Sequence, residues 1–191
     1  MEPPFLELAF YVGENRAMSS MDSVKAASTI EPGGQRFIGL PGRPEEIYST
    51  GPKVIVRTEG EDFCGPMRSN TGRLGELGHV VSDAFLRIAG AANCMYGAIL
   101  VEYELETPSE LRRDSRSLAF HDFFLSRKNL PPDVFAAAMV GVTSGAYTRE
   151  TSDGMYVSMS REFNPEGRQV ETELAHQVSV RVAVALGKLM Q

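Results

Sequence analysis

The sequence lacks long apolar runs. No stretch approaches the roughly 18 consecutive apolar residues that a membrane-spanning helix needs. The first residues, Met1 to Pro4, have neither the basic start nor the apolar core of a secretory leader. We therefore expect a protein that lies in the cytoplasm and does not bind a membrane.

Cysteine is scarce as well. Cys64 and Cys94 are the only two in 191 residues, and they form neither a Cys-x-x-Cys pair nor a metal-ligand spacing. A reducing compartment favours two free thiols over a disulfide between them. We expect no metal and no other cofactor.

Catalytic signatures are also missing. The sequence contains no Gly-x-Ser-x-Gly elbow, no His-Glu-x-x-His and no phosphate-binding glycine motif, and its three histidines are scattered. The glycines and prolines of residues 32–44 are interpreted as turn residues. These absences lower the expectation of an enzyme without excluding one.

Positive charge is under-represented. The formal net charge is -6 and the isoelectric point is near 5.2. No cluster of lysine and arginine with interleaved aromatic residues appears, so nucleic acid is not an expected partner. The excess of carboxylates favours a basic partner instead.

Residues that build a core are present in ordinary amounts. The chain is 42% apolar and 23% charged, which is typical of one soluble domain over residues 1–191. Its clearest elements are a helix over 74–92, followed by Asn93 as a left-handed C-cap residue, and a strand over 97–106. The helix has one apolar face with three- and four-residue spacing, formed by Leu74, Leu77, Val81, Ala84, Phe85, Ile88 and Ala92.

The other predicted elements mix helices and strands without regular alternation, which indicates an α+β fold with a mainly antiparallel sheet packed against helices. Thr107, Pro108 and Glu110 form a capping box that starts a helix. The further predictions are strands over 5–12 and 53–59, a hairpin over 146–151 and 155–161, and helices over 19–30, 117–125 and 133–140.

Two segments permit more than one interpretation. In the hairpin we prefer a three-residue loop, Ser152 to Gly154, which places Met155 on the face of Thr151; a two-residue loop places it on the face of Glu150. Residues 178–186 alternate as a strand does, but we predict one long C-terminal helix over 169–189. Its second apolar strip, with Val180 and Val184, permits homo-oligomer formation through this helix.

Glu76, His79 and Asp83 lie on one side of the helix predicted over 74–92, at three- and four-residue spacing. Such a group has the residue types of a metal site or an acid–base site. At 100° per residue, however, it lies nearly opposite the apolar face. We therefore predict a solvated face on which Asp83 pairs with Arg87.

Three carboxylates, Glu102, Glu104 and Glu106, alternate with Tyr103 and Leu105 at the end of the predicted strand. Alternation places the carboxylates on one face of the strand and the apolar residues on the other. The acidic face is suited to a divalent cation, to a basic partner, or to plain solvent exposure. Of the two functional interpretations, binding of a basic partner agrees better with the net charge. Glu102, Glu104 and Glu106 are therefore our candidate partner-binding residues.

His121 and Asp122 are adjacent and are a candidate acid–base pair, but neighbouring side chains diverge, so each needs a different partner. His176 is predicted to make a surface hydrogen bond. The resulting hypothesis is a non-catalytic interaction protein of the inhibitor or toxin-neutralising type. The alternatives are a small metabolite-binding protein or enzyme, with its pocket near loop 32–44 or near His121, and a self-associating structural subunit.

Overall fold

A computed structural model describes residues 4–40, 42–64, 71–142, 145–164 and 166–190; for residues 71–74 and 190 only the backbone is described. The strands are β1 (Phe5–Tyr11), β2 (Thr29–Glu31), β3 (Gly34–Arg36), β4 (Glu45–Thr50), β5 (Lys53–Glu59), β6 (Tyr96–Val101), β7 (Asp122–Ser126), β8 (Tyr147–Glu150) and β9 (Gly154–Ser158). The α-helices are α1 (Ala17–Ala27), α2 (Thr71–Ala92), α3 (Pro108–Arg113), α4 (Pro132–Met139) and α5 (Thr172–Leu186), and 3-10 turns cover Glu61–Phe63 and Gly187–Met190.

Seven strands form one sheet in the order β4-β5-β1-β6-β7-β9-β8, and every neighbouring pair is antiparallel. Strand β1 lies inside the sheet, and its alternate side chains are buried on the two faces. Leu8 and Phe10 pack into one core with α1 and α2, whereas Ala9 and Tyr11 pack into the other with α3, α4 and α5. The fold is α+β, as predicted, with helices on both faces of an antiparallel sheet.

Helices α2 and α5 confirm the two long helices that the sequence predicts. Asn93 ends α2 with a φ of 49°, as expected of a left-handed cap residue. In α5 the three- and four-residue spacing describes the structure and the alternating pattern does not, since Val178, Val182 and Leu186 are fully buried in the second core. Val184 is 48% exposed, so the second apolar strip of this helix faces outward.

The helix predicted over 117–125 is wrong, because the chain there leads into strand β7. Phe123 and Phe124 are both buried, but in the cores on opposite faces of the sheet. A strand covered on both faces has a continuous apolar run rather than an alternating one. Strand β4 was not predicted, because this edge strand is polar and only half-buried.

The preferred hairpin register is also wrong. Met155 lies opposite Glu150, and Val157 lies opposite Thr148. A longer turn closes the hairpin, in which Gly154 donates its backbone N–H to Oγ1 of Thr151 at 3.1 Å. Met155 therefore lies on the same face as Glu150, as the alternative with the two-residue loop predicted.

The described residues contain neither a candidate membrane-spanning helix nor a disulfide. None of their helices combines the length and the apolar character needed to cross a membrane. Cys94 is a buried thiol, and Cys64 forms no disulfide with it.

Candidate functional site

The three candidate carboxylates lie on a loop and not on a strand. Strand β6 ends at Val101, because Glu102 takes a left-handed conformation with a φ of 60°. This turn breaks the alternation, so Glu102, Glu104 and Glu106 do not share one face. We call residues 102–106 the acidic loop.

The acidic loop is anchored at both ends. At its start Glu102 donates its backbone N–H to the carbonyl of Phe5 at 3.2 Å. At its end the Glu106 carboxylate accepts from Oγ of Ser117 at 2.8 Å, and the Glu106 carbonyl accepts from the Tyr96 hydroxyl at 2.8 Å. Glu106 is therefore engaged within the fold, and the predicted capping box at Thr107 then starts α3.

Between these anchors the loop exposes an aromatic side chain. Leu105 is buried, as predicted, and its carbonyl accepts from Nζ of Lys53 at 2.9 Å. Tyr103, which the alternating pattern placed on the same buried face, is instead 53% exposed. The exposed part of the loop is therefore Glu102, Tyr103 and Glu104.

Glu104 lines a groove of about 710 Å³ that lies over strands β1, β4 and β5. In its floor Glu7, which is 1% exposed, accepts from Nε of Arg57 at 2.7 Å and from the Tyr48 hydroxyl at 3.0 Å. Burial and the neighbouring Glu7 carboxylate raise the pKa of Tyr48 to about 12. The groove also contains Lys53, so it carries charges of both signs.

Glu102 lines a second, smaller cavity of about 420 Å³. Two further carboxylates, Asp122 and Glu162, line the same cavity, and no lysine or arginine does so among the residues that the structure describes. Its wall includes two large apolar side chains with exposed surface, Tyr103 and Leu118, the latter 41% exposed. This cavity therefore combines negative charge with an apolar rim.

The deepest carboxylate of this cavity is Asp122, which is 3% exposed. It accepts from Oγ of Ser158 at 2.5 Å and from the backbone N–H of Ser160 at 3.4 Å. Burial raises its pKa to about 6, although the Ser158 hydrogen bond acts in the other direction. The carboxylate is therefore still ionised at neutral pH, but at a free-energy cost to the fold.

Polar atoms around Asp122 remain without hydrogen bonds. Within the described part of the chain, Nε2 of His121 is buried and has no hydrogen-bond partner. The same holds for Nδ1 of His176, which was predicted to make a surface hydrogen bond. Burial and then the neighbouring His176 lower the pKa of His121, which keeps its imidazole neutral at pH 7.

The group on α2 is exposed, as predicted for Glu76, His79 and Asp83. The predicted ion pair is wrong, however, because Asp83 accepts from Arg149 of β8 at 3.0 Å. Arg87 instead donates to the carbonyl of Phe37 at 3.0 Å. No group of three histidine, cysteine or acidic residues arranged for a metal ion occurs in the described ranges.

The loop of residues 32–44 binds a carboxylate of its own chain. Three consecutive backbone N–H groups, from Phe37, Ile38 and Gly39, donate to Glu45 at 2.5, 3.0 and 2.9 Å. Such a row of N–H groups is an anion-binding arrangement, and here Glu45 fills it. Glu45 therefore occupies this row of N–H groups, whereas His121, named in the other alternative, lines a cavity.

Glu102 and Asp122 were each named from the sequence, but their grouping with Glu162 around one cavity was not predicted. Asp122 and Glu162 come from β7 and from the loop after β9, and no spacing in the sequence connects them with Glu102. The adjacent His121 and Asp122 were the one available signal for this cavity. A scan of the chain against models of protein families finds no match, and neither the curated proteins nor the solved structures contain a significant match to it.

Proposed function

We propose that this chain is a non-catalytic interaction module that binds a basic protein partner through an acidic surface, in the manner of an inhibitor or toxin-neutralising protein. The binding surface is the exposed part of the acidic loop with the two cavities beside it. One observation carries the proposal: Glu102 and Glu104 are exposed on one anchored loop, and each lines a different cavity.

The charges of this surface favour a cationic partner. Within the described residues, no ion pair joins Glu102 or Glu104 to a lysine or arginine of the same chain. An exposed carboxylate at an interface accelerates the encounter with a positively charged partner and selects against acidic ones. The net charge of -6 adds a long-range attraction for the same positively charged partner.

The anchors of the loop support recognition as well. A loop whose ends are held by hydrogen bonds and by buried Leu105 loses less conformational entropy on binding than a mobile one does. Tyr103 supplies an aromatic side chain at the centre of the surface, and tyrosine is one of the residues that dominate binding energy at interfaces.

The test uses two charge-reversal variants with equal net charge. One is Glu102→Lys with Glu104→Lys, and the control is Asp22→Lys with Glu76→Lys, two exposed positions on the helical layer of α1 and α2. Each variant changes the formal net charge by +4, from -6 to -2. The immobilised full-length chain captures partners from an extract of the native host, and the dissociation constant of each captured protein is then measured.

We expect wild type and control to bind one basic protein with similar dissociation constants. The loop variant should bind it at least about tenfold more weakly, mainly through a slower association that depends on ionic strength. Capture of a basic protein that binds the loop variant as tightly as the control contradicts the proposal. So does a specific partner with an acidic surface.

The cavity beside His121 favours a second candidate function, the binding of a small metabolite. Its volume of about 420 Å³ lies within the range of ligand pockets. Native mass spectrometry of the chain purified from its host tests this candidate. A bound small molecule that Leu118→Glu releases supports it, and a chain that carries no added mass contradicts it.

A further inference from the structure

We infer that the larger groove, the one of about 710 Å³ over strands β1, β4 and β5, binds a short extended peptide whose two ends are free. The ammonium end of this peptide lies at Glu7 and Glu46, and its carboxylate end lies at Lys53. The volume of the groove is within the range of small-ligand sites. The peptide binds without the protein partner, so this site goes beyond the proposed function.

The floor of the groove is one face of strands β4, β5 and β1. In one row across these strands, Arg57 lies between Glu46 and Glu7. Lys53 lies four residues away along β5, which places its Cα atom about 13 Å from that of Arg57. An extended peptide of three or four residues has a length of about 10–13 Å. The distance between the two ends of the groove is therefore that of a short peptide and exceeds that of one amino acid.

The buried carboxylate of Glu7 has one oxygen that lacks a donor. Its Oε1 accepts from the Tyr48 hydroxyl at 3.0 Å and from Nε of Arg57 at 2.7 Å, and Nη2 of Arg57 lies 2.6 Å from the same oxygen. No hydrogen bond reaches Oε2 from another residue of the described chain. The Glu7 side chain is 2% exposed and lines the groove. A buried acceptor without a donor calls for a water or a ligand, and an N–H group of a ligand in the groove supplies that donor.

The charges at this end of the groove favour an ammonium group. Glu46 is an exposed carboxylate, and no residue in the described ranges forms an ion pair with it. Glu7 and Arg57 neutralise each other, so the two carboxylates and one guanidinium at this end have a net charge of -1. An ammonium group has three N–H donors and no acceptor. It therefore donates to Oε2 of Glu7 and balances the charge of Glu46.

The opposite end of the groove offers a cation. Nζ of Lys53 donates to the carbonyl of Leu105 at 2.9 Å, which positions the ammonium and leaves its other N–H donors for a ligand. Among the described carboxylates, none forms an ion pair with Lys53. Glu110, which interacts with Lys53 electrostatically, accepts instead from the backbone N–H and the hydroxyl of Thr107, at 2.7 and 2.8 Å. A carboxylate of the ligand therefore completes this end.

Apolar surface separates the two charged ends. Tyr48 and Ile55 are cross-strand neighbours in the floor, and buried Leu105 lines the same groove. An apolar side chain at the centre of the peptide packs on this surface and loses its contact with water. The groove thus matches a peptide with two charged ends and an apolar middle residue.

The test titrates the ¹⁵N-labelled full-length chain with the tripeptide Ala-Leu-Ala and follows two-dimensional ¹H–¹⁵N NMR spectra. The comparison ligands are the N-acetylated tripeptide, which lacks the ammonium, the C-terminal amide, which lacks the carboxylate, and free leucine, which has both charges but is too short. The protein variants are Glu46→Gln and Lys53→Met. Their matched controls are Glu31→Gln and Lys128→Met, at exposed positions outside the groove.

We expect Ala-Leu-Ala to shift the amide signals of Tyr48, Ile55 and Leu105 and to bind wild type with a dissociation constant below about 1 mM. Acetylation and amidation should each weaken binding about tenfold, because each removes one charge-assisted contact. Free leucine should bind more weakly than the tripeptide.

Each protein variant should cancel the effect of one blocked end. Lys53→Met should bind the free tripeptide and its amide equally, because the cation that distinguishes them is gone. Glu46→Gln should reduce the effect of acetylation and leave that of amidation unchanged. The two control variants should bind every ligand as wild type does.

Equal binding of the free and the blocked tripeptides to wild type overturns the inference. So do equal binding of leucine and the tripeptide, shifts centred on His121 and Leu118, and the absence of shifts at about 10 mM tripeptide. These comparisons use the wild-type chain, so they decide the question whether or not Lys53→Met folds. The two proposals fail separately, because charge reversal at Glu102 and Glu104 tests the protein partner and the blocked ends test the peptide site.

Discussion

Helix α2 passes so close to the loop after β9 that a Cβ atom on Gly78 would lie 1.7 Å from the carbonyl oxygen of Glu162. The nearest atoms belong to the backbone, so no side-chain rotation relieves the clash. Gly78→Ala must therefore push apart the helix and the loop that forms one wall of the smaller cavity. We expect the free energy of unfolding, measured by urea titration, to fall by at least about 2 kcal/mol.

Gly75 provides the matched control on the same helix. A Cβ atom there would meet no atom within 4 Å. Gly75→Ala should raise the free energy of unfolding by up to about 1 kcal/mol, because alanine is the better helix former. Equal effects of the two substitutions would mean that the close contact between α2 and the loop does not exist.

The buried carboxylate of Glu7 leads to a second prediction. Its side chain is 2% exposed, and its main charge partner, Arg57, is 41% exposed. Arg57→Met leaves the carboxylate buried without its cation, and we expect the free energy of unfolding to fall by about 2–3 kcal/mol, less than for a fully buried pair because solvent reaches the guanidinium.

The double variant, Glu7→Gln with Arg57→Met, tests the cause. It removes the buried charge together with its partner, so it should be more stable than Arg57→Met alone. If the double variant is the least stable of the three proteins, the loss in Arg57→Met comes from packing on the Phe5 and Tyr48 rings, over which the guanidinium lies.

Most of the fold follows from local patterns, and the helix wrongly predicted over 117–125 has a clear physical origin. Helix α2 was predicted because it has one apolar face, and helix α3 because it has a distinct cap. The sheet is covered by helices on both sides, so the side chains of β7 are buried on both faces and the period of two disappears. Whether a strand is buried on one face or on both depends on where the helices pack, which is a tertiary property.

The candidate site shows a different limit. Alternation through Glu102, Glu104 and Glu106 continues the pattern of β6, and residues 98–107 contain no glycine or proline that would stop the strand. The strand ends because Glu102, a residue for which a positive φ is uncommon, takes one. The smaller cavity joins residues from β7, the acidic loop and the loop after β9, and such a group is assembled only by the sheet order.

The contact between Glu45 and loop 32–44 gives a third prediction. Phe37 and Ile38 are buried, so their N–H groups depend on the Glu45 carboxylate as an acceptor. Glu45→Ala should lower the free energy of unfolding by about 2–3 kcal/mol, because three charge-assisted hydrogen bonds are lost. Glu46→Gln, at the adjacent exposed position, should change it by less than about 0.5 kcal/mol. Urea titration of both variants measures the difference, and similar losses would show that the N–H groups do not depend on Glu45.

Asp122 makes the stability of the fold depend on pH in a specific direction. Its pKa is about 6 in the folded protein and near 3.8 when exposed, because burial disfavours the charged carboxylate. Between these two values the folded state binds more protons than the unfolded state does. The contribution of Asp122 to the free energy of unfolding is therefore fully present below the lower value and is lost as pH rises through about 6.

Asp122→Asn isolates this contribution from the other carboxylates, because asparagine keeps an oxygen that accepts from Ser158 and has no charge to bury. Urea titrations of wild type and variant at pH 4.5 and 7.5 measure the difference between their free energies of unfolding. We expect the variant to gain about 2 kcal/mol relative to wild type over this interval. A constant difference would show that the Asp122 pKa is near that of an exposed carboxyl. A gain in the opposite direction would show that the carboxylate is stabilised in its charged form, as it would be if a basic group of the same chain paired with it.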